Sequence, residues 1–360
     1  MQFSATEKVY IWLDFFDLAE GEKRRLLRLA DSPIKLVQRF TEYEAFFQEI
    51  EKKSVFQDMV ASLCDNGAFF KERMAALEKQ GIMPIAICSD AYPKEWKNLP
   101  DAPLVAYAKG NIVLLQKRKF VIVGSRRTPA GALKIGAEIA KDISQTFVIA
   151  TGAADGGDSA AIEGGLAGGG NVICVLAGGF GTLPQVNLSL LNKVAERGLL
   201  LSPYTHDTTV RTYSYEYRNK LLAALGEGVL VLGAAEKSGA LITAKYAEEF
   251  KKMIFALPYF PGVAAGAGNN LLLKKGAKLT ESGLDVLETF GVDILKEKPQ
   301  IELTKEEQAV MDALRDLSEA HISELSAKTS VPTFKLMAML SALEVKGIVV
   351  KLGGNRYAPV

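Results

Sequence analysis

Short apolar runs alternate with helical patterns through the middle of the chain. FVIVG at 120–124, FVIAT at 147–151 and NVICVLAG at 171–178 are each followed by a segment with helical spacing. LLLSPY, GVLVLGAA and MIFALPY continue the series. Continuous strands rich in Val, Ile and Leu, joined by helices, are typical of βαβ units in a parallel sheet covered on both faces. We therefore predict a doubly wound, Rossmann-like α/β fold over residues 112–290.

The chain before this pattern has a different character. Residues 1–75 contain short amphipathic helical segments, broken at Gly21 and at Ser32-Pro33, and show no strand pattern. Between residues 82 and 111, two apolar patches flank a Pro-rich stretch, which predicts a long connection with short strands. We therefore expect a helical domain at 1–75 and a Rossmann-like domain that begins near residue 76 and ends near 292.

The C-terminal segment predicts a third domain. The charged sequence DILKEKPQIE at 293–302 contains Pro299 and is interpreted as a linker. Thr304 followed by Glu307 is a capping-box signature, and three helical patterns then lead into a hairpin around Gly353-Gly354. Three helices closed by a hairpin are typical of a winged helix-turn-helix, which we place at 300–360.

Composition and charge narrow the class of protein. The first residues fit neither a signal peptide nor a membrane anchor, and no apolar run is long enough to span a membrane. The three cysteines and two histidines stand apart without metal-ligand spacing, which favours a reducing, cytoplasmic location and predicts neither metal nor cofactor. Since the formal net charge is only +1, nucleic-acid binding would need a local concentration of Lys and Arg.

Candidate binding residues follow the carboxyl ends of several predicted strands. Parallel sheets bind ligands at this edge, where glycine turns and the first N–H groups of helices can receive phosphate. Tyr213, Tyr215 and Tyr217 lie beside the candidates and can either stack on bases or pack internally. The candidates from this pattern are Gly124, Ser125, Arg126, Arg127, Arg218, Asn219, Lys220, Lys237, Ser238 and Gly239.

Each of these features also has an ordinary structural explanation. Gly124 can be a tight βα turn with solvated arginines, and the basic cluster from Lys117 to Arg127 can be a solvated loop around a buried strand. Asp158 is interpreted as a helix cap rather than as a catalytic base. The dinucleotide fingerprint G-x-G-x-x-G is absent, because the next glycine after Gly124 is Gly131.

One motif suggests an enzyme instead. Gly178-Gly179-Phe180-Gly181-Thr182 resembles the PGGxGTxxE motif of lysine-decarboxylase-like phosphoribohydrolases. Ala177 stands where that motif has Pro, and Gln185 stands where it has the catalytic Glu. No Ser-His or Cys-His pairing is visible, so we expect a binding protein rather than an enzyme. A nucleotide-processing enzyme and a nucleotide-sensing module remain the alternatives.

Six blocks in order resemble the DNA processing protein A (DprA/Smf) family. They are VIVGSRRTPAG, TGAADGGDSAAIEGGL, GLLLSPY, YEYRNKLLAAL, EKSGALITAKYAEE and GNNLLLKKGAKL, between about residues 81 and 279. The resemblance implies that the helical domain at 1–75 is SAM-like, and that the protein is a homodimer that holds single-stranded DNA and helps to load the recombinase RecA during natural transformation. It also implies that Gly124, Ser125 and Arg126 form a phosphate nest, while Arg218, Asn219, Lys220, Ser238, Gly239 and Asn270 line the pocket.

Several positions depart from the family pattern. The family usually has a basic residue where this chain has Asp155, and His where it has Ile162. It usually has Glu where this chain has Pro203 and Gly233, and Gly where it has Tyr259. Asp155 adds a negative charge beside the predicted pocket.

The winged helix is a separate question. Residues 301–360 contain seven Lys or Arg and eight Asp or Glu, and the third helix begins with only Thr333 and Lys335 as candidates for DNA contact. We therefore expect this domain to contact protein or pack against another domain rather than to read duplex DNA. Met337 and Met339 are interpreted as core or interface residues.

Overall fold

The computed structural model describes residues 2–292, 303–345 and 347–359. The chain divides into two compact units, residues 1–294 and 295–360, and each has its own hydrophobic core. The predicted linker at 293–302 lies outside the described residues. Among the helices that are described, none has the length and apolar character needed to cross a lipid bilayer.

Six helices precede the sheet. Ser4 and Glu7 form a capping box at the first, and Ser32 caps the third with Pro33 in its first turn, as such residues do at helix starts. Their aromatic residues form one cluster, in which Trp12 packs edge-on against Phe40. The helices are α1 Ala5–Asp14, α2 Glu20–Leu29, α3 Pro33–Gln38, α4 Glu44–Glu49, α5 Lys53–Cys64 and α6 Ala68–Lys79.

The helical layer is joined to the sheet through buried polar contacts. The Asp14 carboxylate accepts hydrogen bonds from the Tyr107 hydroxyl at 2.7 Å and from Lys23 Nζ at 2.5 Å. Ile11 of α1 belongs to the same hydrophobic cluster as residues of the sheet. The domain boundary near residue 75 stays a prediction.

Nine strands form the main sheet in the order β1-β2-β6-β5-β4-β3-β7-β8-β9. All neighbouring pairs among β3, β4, β5, β6, β7, β8 and β9 are parallel. Strand β2 pairs antiparallel with both β6 and β1. The strands are β1 Met83–Ala86, β2 Val105–Gly110, β3 Lys119–Val123, β4 Val148–Thr151, β5 Val172–Val175, β6 Leu199–Ser202, β7 Gly228–Val231, β8 Met253–Ala256 and β9 Lys278–Leu279.

Helices cover both faces of this sheet. Alternate residues of β3 point to opposite sides, so Phe120 and Ile122 join one core while Val121 and Val123 join the other. The doubly wound α/β prediction is confirmed. The helices are α7 Lys94–Lys97, α8 Ala130–Ile143, α9 Gly157–Ala167, α10 Leu188–Arg197, α11 Thr212–Leu225, α12 Gly239–Glu249, α13 Ala267–Lys274 and α14 Gly283–Thr289.

The second unit is a winged helix, as predicted. The Thr304 hydroxyl accepts from the Glu307 amide at 3.2 Å, and the Glu307 carboxylate accepts from the Thr304 amide at 2.8 Å, which confirms the capping box. A three-stranded sheet in the order β10-β12-β11 closes the unit. Its elements are α15 Lys305–Leu317, β10 Ala320–His321, α16 Ile322–Thr329, α17 Thr333–Val345, β11 Val349–Leu352 and β12 Arg356–Pro359.

Helix α17 presents apolar side chains at its exposed start. Phe334 is 76% exposed and Met337 is 54% exposed, whereas Met339 is partly buried against the core of the unit. Lys335 pairs with Glu306 at 2.7 Å. Lys335, the candidate for contact with duplex DNA, is therefore already paired with a carboxylate. The predicted contact of the winged helix with protein stays a prediction.

Candidate functional site

The strand order creates a switch point between β3 and β7. From β3 the chain adds β4, β5 and β6 on one side, and then returns to place β7 on the other side of β3. In open α/β sheets, ligands bind outside the carboxyl ends of the strands at such a point. A cavity of about 380 Å³ lies there, and we call it the switch-point cavity.

Residues distant in sequence line the switch-point cavity. They come from the loops after β3 and β4 and from α9, α11 and the first turns of α12. The polar and glycine residues among them are Gly124, Ser125, Arg126, Asp158, Tyr215, Arg218, Asn219, Ser238, Gly239 and Thr243.

Close backbone contact fixes the loop after β3 against the start of α9. A Cβ atom on Gly157 would lie 2.3 Å from the Gly124 Cα, so no larger residue fits without backbone movement. Gly156 adopts φ +80°, a left-handed conformation that favours glycine. The Gly157 amide also donates to the Ser125 carbonyl oxygen at 3.3 Å. These glycines hold the two loops as one rigid wall.

A buried ion pair forms the base of the cavity. Arg218 Nη1 lies 3.7 Å from Asp158 Oδ2, and both side chains are buried. Burial raises the pKa of the Asp158 carboxyl, while Arg218 and the amides of Ala154 and Gly124 favour its charged form. Asp158 lies in the first turn of α9, whose N-cap is Gly156. The prediction that Asp158 caps this helix is therefore wrong, because its carboxylate is held by Arg218 and by loop amides instead.

Two buried polar atoms in this wall lack a partner. Arg218 Nε and Thr243 Oγ1 form no hydrogen bond within the described residues, and their side chains are almost inaccessible. A buried polar group without a partner costs about 1–3 kcal/mol, so such groups are rare and call for an explanation. Both residues line the switch-point cavity, and a ligand there can satisfy the two atoms only if their side chains turn toward it.

Free positive charge lies at the rim of the cavity. Arg126 lines the cavity and is exposed after β3, whereas Arg127 and Lys237 are exposed next to the lining residues Arg126 and Ser238. In the part of the chain that the structure describes, none of the three forms an ion pair. Asp155 is also exposed, and its carboxylate accepts from the Gly156 amide at 2.8 Å. The rim therefore carries excess positive charge suited to an anion.

The backbone amides of the predicted phosphate nest are mostly engaged. The Gly124 amide donates to Asp158, and the Ser125 amide donates to the Gly233 carbonyl oxygen at 2.8 Å. Ser125 Oγ accepts from the Arg127 amide at 3.3 Å. The Arg126 amide forms no hydrogen bond to any described residue. This loop therefore offers an anion mainly the amide and guanidinium of Arg126.

The start of α12 faces the same cavity. Ser238 caps this helix by accepting from the Ala240 amide at 3.3 Å, and Asn219 donates to the Gly239 carbonyl oxygen at 3.3 Å. Amides at a helix start attract anions, and this start adjoins the orphaned Thr243 hydroxyl. Asn219, Ser238 and Gly239 thus lie together, as predicted from their strand ends.

Four predicted residues do not line this cavity, namely Arg127, Lys237, Lys220 and Asn270. The last two have partners elsewhere. Lys220 Nζ contacts both Asp101 carboxylate oxygens at 2.7 Å and lines a different, larger cavity of about 800 Å³. Five carboxylate residues and three lysines line that larger cavity, which disfavours phosphate there. The Asn270 side chain bonds the backbone of Tyr259, at 3.1 Å to its nitrogen and 2.9 Å to its oxygen.

The three tyrosines at 213, 215 and 217 lie in different surroundings. Tyr215 lines the switch-point cavity and is 41% exposed. Tyr217 donates its hydroxyl to the Asp101 carbonyl oxygen at 2.6 Å, and Tyr213 borders the larger cavity. Only Tyr215 of these three is placed to stack on a ligand in the switch-point cavity. Thr243 belongs to the site too, although its position inside a helix gave no sequence signal.

The basic residues at the start of the cluster lie at the opposite end of β3 from the switch-point cavity. Arg118 pairs with Glu227 at 2.7 Å, and buried Lys119 pairs with Glu95 at 2.9 Å. Arg118 fits the explanation of a solvated loop, whereas Lys119 does not, because its side chain is buried within β3.

The glycine motif after β5 borders a second, smaller cavity. This cavity of about 190 Å³ shares part of its wall with the switch-point cavity. Gln185 is exposed and does not line it, and its described lining contains no Asp or Glu. The carboxylate that the phosphoribohydrolase motif requires has no counterpart there.

Comparisons of sequence place the chain among DNA processing proteins. A family model described as DNA recombination-mediator protein A matches residues 84–291, and one described as the DprA winged helix domain matches residues 295–355. DNA processing protein DprA of Bacillus subtilis is 36% identical over 218 residues, which cover 60% of this chain and 73% of that protein. Its Streptococcus pneumoniae counterpart is 33% identical over 237 residues, which cover 63% and 83% respectively.

Solved structures agree. The X-ray structure of DNA processing protein A from Streptococcus pneumoniae matches with a TM-score of 0.65 and 27% identity, covering 80% of this chain and 98% of that one. A Helicobacter pylori DNA processing protein A structure, described for its single-stranded DNA binding mode, matches with a TM-score of 0.53 and 27% identity. That match covers 58% of this chain and 95% of the other.

Proposed function

Since this chain belongs to the DNA recombination-mediator protein A (DprA/Smf) family, we propose that it binds single-stranded DNA at the switch-point cavity. The observation that carries the proposal is the orphaned pair of buried polar atoms, Arg218 Nε and Thr243 Oγ1, beneath a rim with unpaired Arg126. Once their side chains turn toward the cavity, both groups can donate to a bound phosphate, and the rim guanidinium can approach the same anion.

Binding of this kind is independent of base sequence. Contacts to phosphate position a strand but carry no sequence information. We propose that Arg126, Arg127 and Lys237 contact successive phosphates, with Ser238 and Gly239 presenting the start of α12 to one of them. Asp155 lowers the local positive charge, so affinity depends strongly on the remaining cations.

The direct test is fluorescence anisotropy with labelled oligo-dT and its duplex counterpart over a salt series. Arg126→Ala should weaken single-strand binding at least fivefold and reduce the slope of log affinity against log salt by about 0.7, the loss of about one phosphate contact. Arg28→Ala is a matched control, because Arg28 is exposed on α2 and borders neither cavity. No binding of oligo-dT at low salt would refute the proposal.

A nucleotide-sensing role makes a contrasting prediction. A mononucleotide pocket binds one or a few phosphates, so its affinity should change little across the salt series. We propose that the chain does not act as an enzyme. Gln185→Ala should then leave DNA binding unchanged, and no free base should be released from nucleoside monophosphates.

The family resemblance supports wider proposals. We propose that the chain acts in the cytoplasm as a homodimer, protects incoming or recombining DNA and assists RecA loading in natural transformation. Light scattering after size exclusion measures the dimer, and RecA assembly on DNA coated with single-strand-binding protein measures loading. A monomer at micromolar concentration, or no gain in RecA assembly, would contradict the corresponding proposal.

A further inference from the structure

The cavity of about 800 Å³ that Lys220 borders is separate from the proposed DNA site. Its wall comes from the turn between α1 and α2, the segment after β6, and parts of α11 and α12. The residues of α11 that line it recur at helical spacing from Tyr213 to Lys220, and none of them lines the switch-point cavity. We call it the tyrosine cavity, because its lining includes Tyr204, Tyr213, Tyr217 and Tyr246.

The tyrosine cavity carries negative charge. Its five carboxylate residues outnumber its three lysines and leave a formal charge of −2. Asp17 and Glu216 are exposed, and within the described residues neither forms an ion pair. Two carboxylates are therefore left to attract a cation from solution.

The lysines in the wall show which groups these surfaces accept. Lys23 Nζ lies 2.5 Å from Asp14 Oδ1, and Lys220 Nζ lies 2.7 Å from Asp101 Oδ1. The Lys220 ammonium also lies 6.0 Å from the centre of the Tyr246 ring. A carboxylate and an aromatic ring thus already hold one ammonium group together in this wall.

Other tyrosine rings remain open to a further ammonium group. Tyr213 is 61% exposed, and the rings of Tyr204 and Tyr217 meet edge to face with their centres 6.3 Å apart. The Tyr246 hydroxyl donates to Glu216 Oε1 at 3.2 Å, which holds the unpaired carboxylate beside a ring. Ring faces attract ammonium groups, and their apolar surface packs against aliphatic carbon.

The distribution of the charge suits an extended organic cation rather than a metal ion. Across the described parts of the chain, no group of three or more His, Cys, Asp or Glu side chains is placed to hold a metal. The volume lies within the range of about 300–1,000 Å³ that is usual for small-molecule sites. A flexible aliphatic chain with several ammonium groups can reach separate carboxylates across such a space.

We propose that the tyrosine cavity binds an aliphatic polyamine. One ammonium group pairs with Glu216 beside the tyrosine rings, a second pairs with Asp17, and the methylene chain between them packs on the rings. This inference does not rest on DNA binding, because the tyrosine cavity and the switch-point cavity share no lining residue.

Isothermal titration calorimetry of the full chain with spermidine, in the absence of DNA, tests the proposal. Glu216→Gln and Asp17→Asn should each weaken spermidine binding about fivefold, the upper value for loss of one exposed ion pair. Tyr213→Ala should weaken it about threefold, because a ring face is lost. Glu248→Gln is the matched control, since it removes an exposed carboxylate of α12 that does not line the tyrosine cavity.

The expected result is saturable binding of spermidine that weakens in the three cavity variants and is unchanged in Glu248→Gln. No saturable binding up to about 1 mM spermidine would overturn the proposal. Equal weakening in Glu248→Gln would also overturn it, because only the overall charge of the chain would then attract the polyamine. Tighter binding of a tri-lysine peptide than of spermidine would assign the cavity to a protein segment, and would likewise count against the proposal.

Discussion

Two departures from the family pattern occupy one space. A Cβ atom on Gly233 would lie 2.7 Å from the Tyr259 hydroxyl oxygen. That hydroxyl donates to the Leu232 carbonyl oxygen at 2.7 Å, and burial raises the pKa of Tyr259 to about 12, so it remains a donor at neutral pH. The glycine therefore accommodates the tyrosine, and the two departures are best understood as a coupled pair.

A double-mutant cycle tests this coupling. Gly233→Ala should reduce the free energy of unfolding by about 1–3 kcal/mol, because the added methyl group meets both Tyr259 and Thr128. In a Tyr259→Phe background the same change should cost at least about 0.5 kcal/mol less, because the contacting oxygen is gone. Urea unfolding measures both values, and strict additivity would show that the two positions are independent.

A strand end in the sequence was a good guide to Arg126 but not to Lys220. Arg126 directly follows a continuous apolar run, so its position at the ligand edge was evident. Lys220 also follows a predicted strand, but its partner Asp101 lies 119 residues away and no local pattern reveals that contact. Thr243 sits within an ordinary helical pattern, and only packing shows that its hydroxyl lacks a partner.

At the scale of elements, the site depends on the approach of α9 to the loop after β3. Gly157→Ala places a methyl group against the backbone of Gly124, and backbone on both sides has little room to move. We expect a loss of about 1–3 kcal/mol in the free energy of unfolding and weaker DNA binding.

Gly131→Ala provides a matched control on α8. No atom lies within 4 Å of the added Cβ there, and Ala favours helix over Gly by about 0.5–1 kcal/mol. This variant should therefore be slightly more stable than the wild type and bind DNA normally. Equal effects of the two substitutions in urea unfolding and anisotropy would contradict the role assigned to the close approach.

The parallel strands β3 to β8 could be predicted because each is a continuous apolar run, whereas β9 is a two-residue exposed strand that gave no such signal. The attachment of β2 to β6 could not be predicted, because strand pairing across such a distance leaves no periodicity in the sequence. The short strands expected between residues 82 and 111 are present as β1 and β2. Their antiparallel placement beyond β6 emerges only from the register of Tyr107 with Ser202.

At the scale of the whole molecule, the two units have separate hydrophobic cores. Both tryptophans, Trp12 and Trp96, belong to the first unit. Tryptophan fluorescence therefore reports the unfolding of that unit, whereas circular dichroism reports helices in both.

A core substitution in the winged helix should show this separation. Leu340 is fully buried there, so Leu340→Ala should destabilise the second unit by about 2–5 kcal/mol. In urea, the circular dichroism transition should broaden or split while the midpoint of tryptophan fluorescence stays unchanged. A matching shift in the fluorescence midpoint would show that the two units unfold together.

The antiparallel pairing of β2 with β6 has a consequence for biosynthesis. Leu199, the partner of Gly110, is translated 89 residues after it. At about 5–20 residues per second, the ribosome leaves the apolar edge of β2 without its neighbour for roughly 5–20 seconds. The nascent chain thus carries an open strand edge until β6 emerges, and during that interval the edge is free to pair with strands of other chains.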